Sequence, residues 1–420
     1  MLRAIQRTVV FLLIVSTAAN GPAADWYCDP VNGSIKGDGT AAKPWGTLQS
    51  ALSNAKSPLR SGDTIRLMSG DHGAVRISSA LSSVTIEAAD RQKPTLSQLS
   101  GGPGLKNWTF RNLTVQTPDA VLPDWTIVFR LTDVEGVTVE GCSIRTAADP
   151  STWGDAEWQK RCPFYGLWLR GTDLTVSKCY LTGLENCVYV EGNRIGVLNN
   201  TIEYFINDGI EYTASDLRIA GNRITDLYDL KSNKFHHDGM QGWNFDERPM
   251  SNILIENNFV AFSTNRFNAI PAQSSATFQG IVSFDGKASN VFIRRNTVLS
   301  TAFHAITGYG YSDSVIESNT VVYQGVAAEP CWIGLFASPA NVMVRDNIAP
   351  SYNLPKDGAL TANNFAFTKA KNTWDKLTVV KPESTFVKYL PATAEFDFSV
   401  VDDSPAAGKF IRIGGAGAKQ

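Results

Sequence analysis

An asparagine recurs along this chain inside a short alternating frame. Val197-Leu-Asn-Asn-Thr-Ile202 is echoed by Ile219-Ala-Gly-Asn-Arg-Ile224, Ile255-Glu-Asn-Asn-Phe-Val260, Ile293-Arg-Arg-Asn-Thr-Val298, Ile316-Glu-Ser-Asn-Thr-Val321 and Val344-Arg-Asp-Asn-Ile348. Towards the N-terminus cysteine takes its place, in Val176-Ser-Lys-Cys-Tyr-Leu181 and Val139-Glu-Gly-Cys-Ser-Ile144, and the echo extends to Phe110-Arg-Asn-Leu-Thr-Val115. The aligned positions are Asn112, Cys142, Cys179, Asn200, Asn222, Asn258, Asn296, Asn319 and Asn347, spaced by 30, 37, 21, 22, 36, 38, 23 and 28 residues. A floor near 21 to 23 residues with irregular additions means one minimal unit that sometimes carries a loop. Short alternating strands at that period, with no helix in the unit, predict a solenoid of stacked β-coils. Equivalent residues then form rows up the stack. An amide buried in a bend donates to one neighbouring coil and accepts from the other, which gives the asparagine row its physical reason. A leucine-rich repeat would need leucine at fixed offsets and a helix per unit, and neither is present.

Residues 1–24 read as a secretory leader: Arg3 and Arg7 precede an apolar run from Val9 to Val15 and small residues from Ser16 to Ala24. That run is too short to span a bilayer. The expectation is a secreted or periplasmic protein without membrane insertion, acting as a monomer. The formal net charge is −2; removing residues 1–24 takes away two arginines and no acid, leaving −4. So mild a negative value argues against nucleic acid as a partner. Six cysteines in an exported chain permit disulfides. Cys142 and Cys179 are either bonded or stacked, and Cys28, Cys162, Cys187 and Cys331 cannot be paired from sequence.

The organisation expected is a leader (1–24), an N-terminal cap (25–71), a parallel β-helix (72–352) and a C-terminal cap (353–420). In the first cap Leu48, Ala51, Leu52 and Ala55 share one helical face. A helix there would cover the first coil, whose open edge must be kept from pairing with other chains. Larger insertions fall at about 147–163, 227–236 and 262–277 and are expected to wall a binding face.

The opening Trp26-Tyr-Cys-Asp-Pro-Val-Asn-Gly-Ser34, Gly37-Asp-Gly-Thr-Ala-Ala-Lys-Pro-Trp-Gly-Thr-Leu48 and Gly62-Asp-Thr-Ile65 resemble the start of exported proteins of the pectate-lyase-like superfamily. The close Asp397-Phe-Ser-Val-Val-Asp-Asp-Ser-Pro-Ala-Ala-Gly408 is similar to their end. The resemblance covers nearly the whole mature chain. It implies a right-handed parallel β-helix and a polysaccharide partner. It does not imply one reaction, because lyases, hydrolases, epimerases, tailspikes and adhesins share the fold.

One strand per coil aligns by its own pattern, with Leu167, Val188, Ile210, Met240, Ile281 and Ile306 facing the core. Alternation turns two flanking rows outward. One is Trp168, Tyr189, Glu211, Gln241, Val282 and Thr307; the other is Arg170, Glu191, Thr213, Trp243, Phe284 and Tyr309. Aromatic residues beside carboxylates and an arginine predict a sugar-binding groove, with His304 towards its far end. The competing expectation is that the insertions cover these rings and merely bury them. His72, in an early coil, is expected to be structural.

At the bend entering this strand, Glu185-Asn186, Asn207-Asp208 and His236-His237-Asp238 fall in three successive coils. Asp208 and Asp238 are equivalent, so their carboxylates should lie about one coil spacing apart, and like charges that close push one pKa up. One protonated and one ionised carboxyl suit glycosidic cleavage, with His236 or His237 relaying a proton. Aspartate before glycine is also a common turn former, which explains either aspartate alone but not the paired histidines. His236-His-Asp-Gly-Met-Gln241 resembles His-x-Asp-Gly-x-Gln elements of β-helix carbohydrate enzymes and, more loosely, the Asp-Pro-His-Asp element of mannuronan C5-epimerases. Phe235-His236 stands in place of that Asp-Pro pair. Asn207-Asp-Gly-Ile210 is similar to the Asn-Thr-Asp-Gly element of polygalacturonase-like hydrolases, whose Gly-His-Gly has no counterpart here. The acidic surplus around a single Arg170 would repel a bare uronate, so hydrolysis is placed ahead of a uronate lyase or C5-epimerase. Calcium is the cofactor that second reading would call for. A non-catalytic polysaccharide-binding or adhesin-like module is the third reading.

Overall fold

The computed structural model describes residues 22–54, 56–146, 149–230, 237–244, 248–264, 277–325, 331–368, 377–390 and 395–407. The leader expected over 1–24 lies outside them except for its last three residues. Among the described residues no helix is long and apolar enough to cross a membrane.

Each coil is a few short alternating strands joined by bends. In one central coil, Tyr165–Ser177 covers two faces and Tyr180–Leu184 the third. The first bend turns at Gly171 and at Asp173, which takes the left-handed φ of 57°. A Cβ on Gly171 would come within 1.9 Å of the Val134 carbonyl oxygen on the coil below, so only glycine fits there. Strands pair in parallel with the next coil, Leu167 with Val188, then Ile210, Met240, Ile281 and Ile306. All six are buried, and with their counterparts on the other faces they form one apolar core along the axis. The result is a right-handed parallel β-helix. Among the described residues one sheet of 21 strands supplies two faces and one of 13 strands the third. An antiparallel pair, Phe386–Leu390 with Glu395–Val400, follows the stack.

The asparagine row is a hydrogen-bonded ladder. From Asn200 through Asn222, Asn258, Asn296, Asn319 and Asn347 to Asn364, each backbone N–H and each side-chain Nδ2 donates to the Oδ1 of the next, at 2.9–3.1 Å. Every Nδ2 also donates to a main-chain carbonyl one coil back, such as Val197 O for Asn222 at 2.8 Å. Below Asn200 the row continues as buried Cys179, Cys142 and Leu113. Asn112 does not belong to it. Thr114 pairs with Ser143, so Leu113 stands beside Cys142, and Asn112 takes the preceding bend position, exposed, with φ 56°. Asparagine tolerates that left-handed conformation, and this is what mimicked the ladder in the sequence. All six cysteines are free thiols, so Cys142 and Cys179 are stacked, not bonded.

The stack is longer than the repeat suggests. Asp25–Cys28 already pairs with Thr64–Leu67. At the other end Ala359–Ala362 and Phe365–Ala366 continue the sheets beyond Tyr352. The coil from Asn347 to Asn364 is only 17 residues long, which hides it from a period of 21 or more. Among the described residues the first segment has one short helix, Leu48–Leu52, with Leu48 and Ala51 buried; Ala55 lies outside the described residues. Leu48 N–H donates to His72 Nδ1 at 3.3 Å and the His72 Nε2 meets Met68 O at 3.0 Å, the structural role expected for that histidine. In the insertion at 147–163, the helix Asp155–Arg161 seats Trp158 against Tyr204 and Tyr228.

Candidate active site

The face carrying Tyr165–Arg170 departs most from an ordinary solvated strand. Register aligns Trp168 with Tyr189, then Glu211, Gln241, Val282 and Thr307. One bend earlier, Tyr165 pairs with Asn186. The same registers put Asn186 beside Asp208 and Asp208 beside Asp238, and Asp238 pairs with Gln279. The expected neighbours are therefore neighbours, and both are buried: Asp208 is 5% exposed and Asp238 0%.

The two aspartates are linked through the main chain, with Asp238 N–H donating to Asp208 Oδ1 at 2.8 Å. Burial, then the Asp238 and Glu211 carboxylates, push Asp208 well above the usual range. Glu211, also buried, is pushed up to about 7 by burial, against hydrogen bonds from Tyr165 and Trp243 that pull it down. Tyr165 Oη donates to the Glu211 carboxylate, 2.9 Å from each oxygen, and Trp243 Nε1 donates at 3.2 Å. Burial alone pushes Glu185, on the coil below, up to about 7. Burial and Glu211 hold the Tyr165 phenol upward, so it remains a donor. Asn207 Nδ2 donates to Asn186 Oδ1 at 2.8 Å and fixes the bend beside Asp208.

Aromatic rings roof this cluster. Trp168 meets Tyr189 edge-on at 4.8 Å, and Tyr189 stacks on Trp243 at 5.5 Å with 17° between planes. Tyr189 is buried beneath the two tryptophans, which are half-buried, so it forms floor rather than rim. Gln241 is half-buried beside Glu211, and Glu191 accepts from Tyr189 Oη at 3.4 Å. Arg170 is committed to Asp133 through two bonds of 3.1 and 2.9 Å. A depression of about 230 Å³ opens at the end of these strands, lined by Glu191, Thr213, Asn244 and Arg248 among others.

Three expected groove residues sit in a second group further up the stack. Phe284 packs against His304 at 4.9 Å and Tyr309 at 5.1 Å, and Tyr309 stacks on Phe336 at 5.0 Å. Phe284 is not level with Trp243 as the pattern suggested. A bulge after Gly242 pairs Trp243 with Asp285 and leaves Phe284 as the extra residue. His237 is buried beside Asp238, and its main-chain N–H donates to Thr277 O at 3.4 Å. His236 lies outside the described residues. Tyr165 was not singled out from sequence, although its place in the row of Asn186 and Asp208 was the available signal. Among the described residues no three or more His, Cys, Asp or Glu side chains converge as a metal ion requires.

No protein-family model and no curated protein matches this chain. Solved structures are similar to it in fold. The GH136 lacto-N-biosidase from Eubacterium ramulus superposes with a TM-score of 0.48 at 12% identity, over 85% of this chain and 68% of that one. A pectate lyase gives 0.42 at 13%, over 92% and 91%. The A-module of the Azotobacter vinelandii mannuronan C-5 epimerase gives 0.42 at 14%, over 80% and 93%. This likeness fixes no reaction.

Proposed function

We propose that this protein is an exported carbohydrate-active enzyme that hydrolyses a glycosidic bond in a polysaccharide lying along the aromatic face. The observation that carries this is a group of carboxyls, Asp208 and Glu211 buried and Glu185 half-buried, with no cation among the described residues to ionise them. Carboxyls so placed share protons, and a protonated carboxyl next to an ionised one is the equipment for acid–base hydrolysis. Asp208, held well above the usual carboxylate range, gives its proton to the departing glycosidic oxygen. Asp238 takes a proton from the water that adds to the sugar carbon, and His237 or His236 returns a proton to the pair. Tyr165 and Trp243 hold Glu211 in line, and Trp168, Trp243 and Gln241 orient the sugar. The acidic surplus favours a neutral sugar at the broken bond.

Purified protein incubated with a polysaccharide panel tests the reading. New reducing ends without absorbance from unsaturated uronates are expected. Absorbance would mean elimination, and a changed sugar without cleavage would mean epimerisation. Loss of either on adding a chelator would bring in calcium. Binding without any chemistry would leave the adhesin-like reading.

A further inference from the structure

At the lower end of the groove stands a cation that the chemistry above does not use. Arg130, on the strand Ile127–Glu135, is exposed and faces outward in the row of Trp168 and Tyr189. Its register neighbours are Ser100 on one side and Trp168 on the other, both neutral. Its guanidinium carbon lies 5.6 Å from the centroid of the Trp168 ring. Arg170, in the neighbouring outward row, is neutralised by Asp133, whereas Arg130 has no ion pair among the described residues. Three register steps lead from Arg130 through Trp168 and Tyr189 to Glu211, about 14 Å at the usual strand spacing. A polysaccharide covers that distance with a few sugar units.

An uncommitted guanidinium beside a half-buried indole offers two contacts that belong together. The fork binds a planar or tetrahedral anion through paired N–H donors, and the ring takes the apolar side of the sugar bearing it. The carboxyl cluster repels anions, so this face has opposite preferences at its two positions. We propose that Arg130 and Trp168 form a remote subsite for a sugar carrying a carboxylate or sulfate. The substrate class is then an acidic heteropolysaccharide with its charged unit a few residues from a neutral sugar at the broken bond. The inference rests on the groove of the proposed function, but not on the reaction performed there.

Calorimetric titration of the full chain with three probes tests it: an oligogalacturonate, a sulfated galacto-oligosaccharide and the same galacto-oligosaccharide without sulfate. The unaltered protein should bind at least one charged probe more tightly than the neutral one. Arg130→Gln should weaken that probe about tenfold or more, the worth of a charge-assisted contact, and leave the neutral probe unchanged. The charged probe that responds identifies carboxylate or sulfate. Failure of the unaltered protein to prefer a charged probe, or an equal loss for charged and neutral probes in the variant, overturns the proposal. Repeating the titration in Asp208→Asn separates the two readings. A fully active Asp208→Asn with Arg130-dependent binding intact removes the hydrolytic mechanism and keeps the subsite.

Discussion

Glu211 condenses the chemistry of this face into one side chain. It is buried, yet it holds three hydrogen-bond contacts, from Tyr165 to both oxygens and from Trp243 to one. Its carboxyl moves from 4.5 to about 7, as does that of Glu185. Each group therefore binds its proton more tightly in the folded chain than in the unfolded one. Their contribution to stability is complete below the unfolded value of 4.5 and declines as pH rises towards 7. Glu211→Gln keeps an acceptor for Tyr165 and Trp243 while removing the ionisation. Its melting temperature should fall less than the parent's between acid and neutral pH. An identical fall in both would mean that Glu211 titrates normally. Asp208→Asn and Asp238→Asn are the catalytic tests. Both preserve the bend, and in the first of them the new amide oxygen still accepts the Asp238 N–H. Each should fold and bind glycan while losing about 10²–10⁴ in turnover. Full activity in both would move the reaction elsewhere. The aspartate pair was legible because two coils aligned by pattern. The Tyr165 contact was not, because Tyr165 reaches Glu211 from two coils below, and no local pattern records where a long side chain ends.

At the scale of the element, polar groups set register as firmly as the core does. Asn222 accepts from the backbone and side chain of Asn200, and its own Nδ2 donates to Asn258 and Val197. Asn222→Ala leaves two buried donors of Asn200 without their acceptor, at about 1–3 kcal/mol each. A urea melt should show a loss on the order of 3 kcal/mol. A loss no larger than that of an exposed alanine substitution would mean that water replaces the ladder. A second column runs outside, with charges alternating from coil to coil: Arg66, Glu87, Arg111 and Glu140 low in the stack, then Glu256, Arg294, Glu317 and Arg345 higher up. Between the two runs the register neighbours are Ser177, Leu198 and Ala220. A slip by one coil would set like charges side by side, so this column opposes misregister. Glu256 accepts from Arg218, Arg294 and Arg295 and is the most enclosed of these carboxylates. The core alignment from Leu167 to Ile306 was readable because its period is fixed at one residue per coil. The bulge after Gly242 was not, because one extra residue inside a strand leaves the alternation on either side intact.

For the whole molecule, stacking settles the middle and leaves the ends to be solved separately. Coils between Asn200 and Asn364 share one ladder and one core, which is why the fold could be read from a single recurring residue. The ends have no such repeat. Their boundaries were the least legible, with parallel pairing beginning at Asp25 and persisting past Tyr352. Beyond Phe365–Ala366 only Thr378–Val379 continues the smaller sheet among the described residues. A separate apolar cluster closes this end. Ile348, Phe365 and Val380 from the stack meet Phe386 and Ala406, with Phe398 and Val400 packed against them. Phe386 touches Phe367 at 6.0 Å and Phe398 at 5.2 Å, both edge-on, and is 2% exposed. A parallel stack left uncovered presents unpaired strand edges, which recruit other chains. Phe386→Asp places a charge in this cluster and should loosen the antiparallel pair Phe386–Leu390 with Glu395–Val400 from the stack. The coils before Asn347 contribute no residue to this cluster among the described residues, so circular dichroism should keep most of its β-signal and the asparagine ladder from Asn200 to Asn319 its amide protection. Light scattering and size exclusion should instead show larger species growing with protein concentration. If the variant unfolds throughout, the end cluster is part of one cooperative unit with the coils. If it keeps the parent's size, some other element protects the edge.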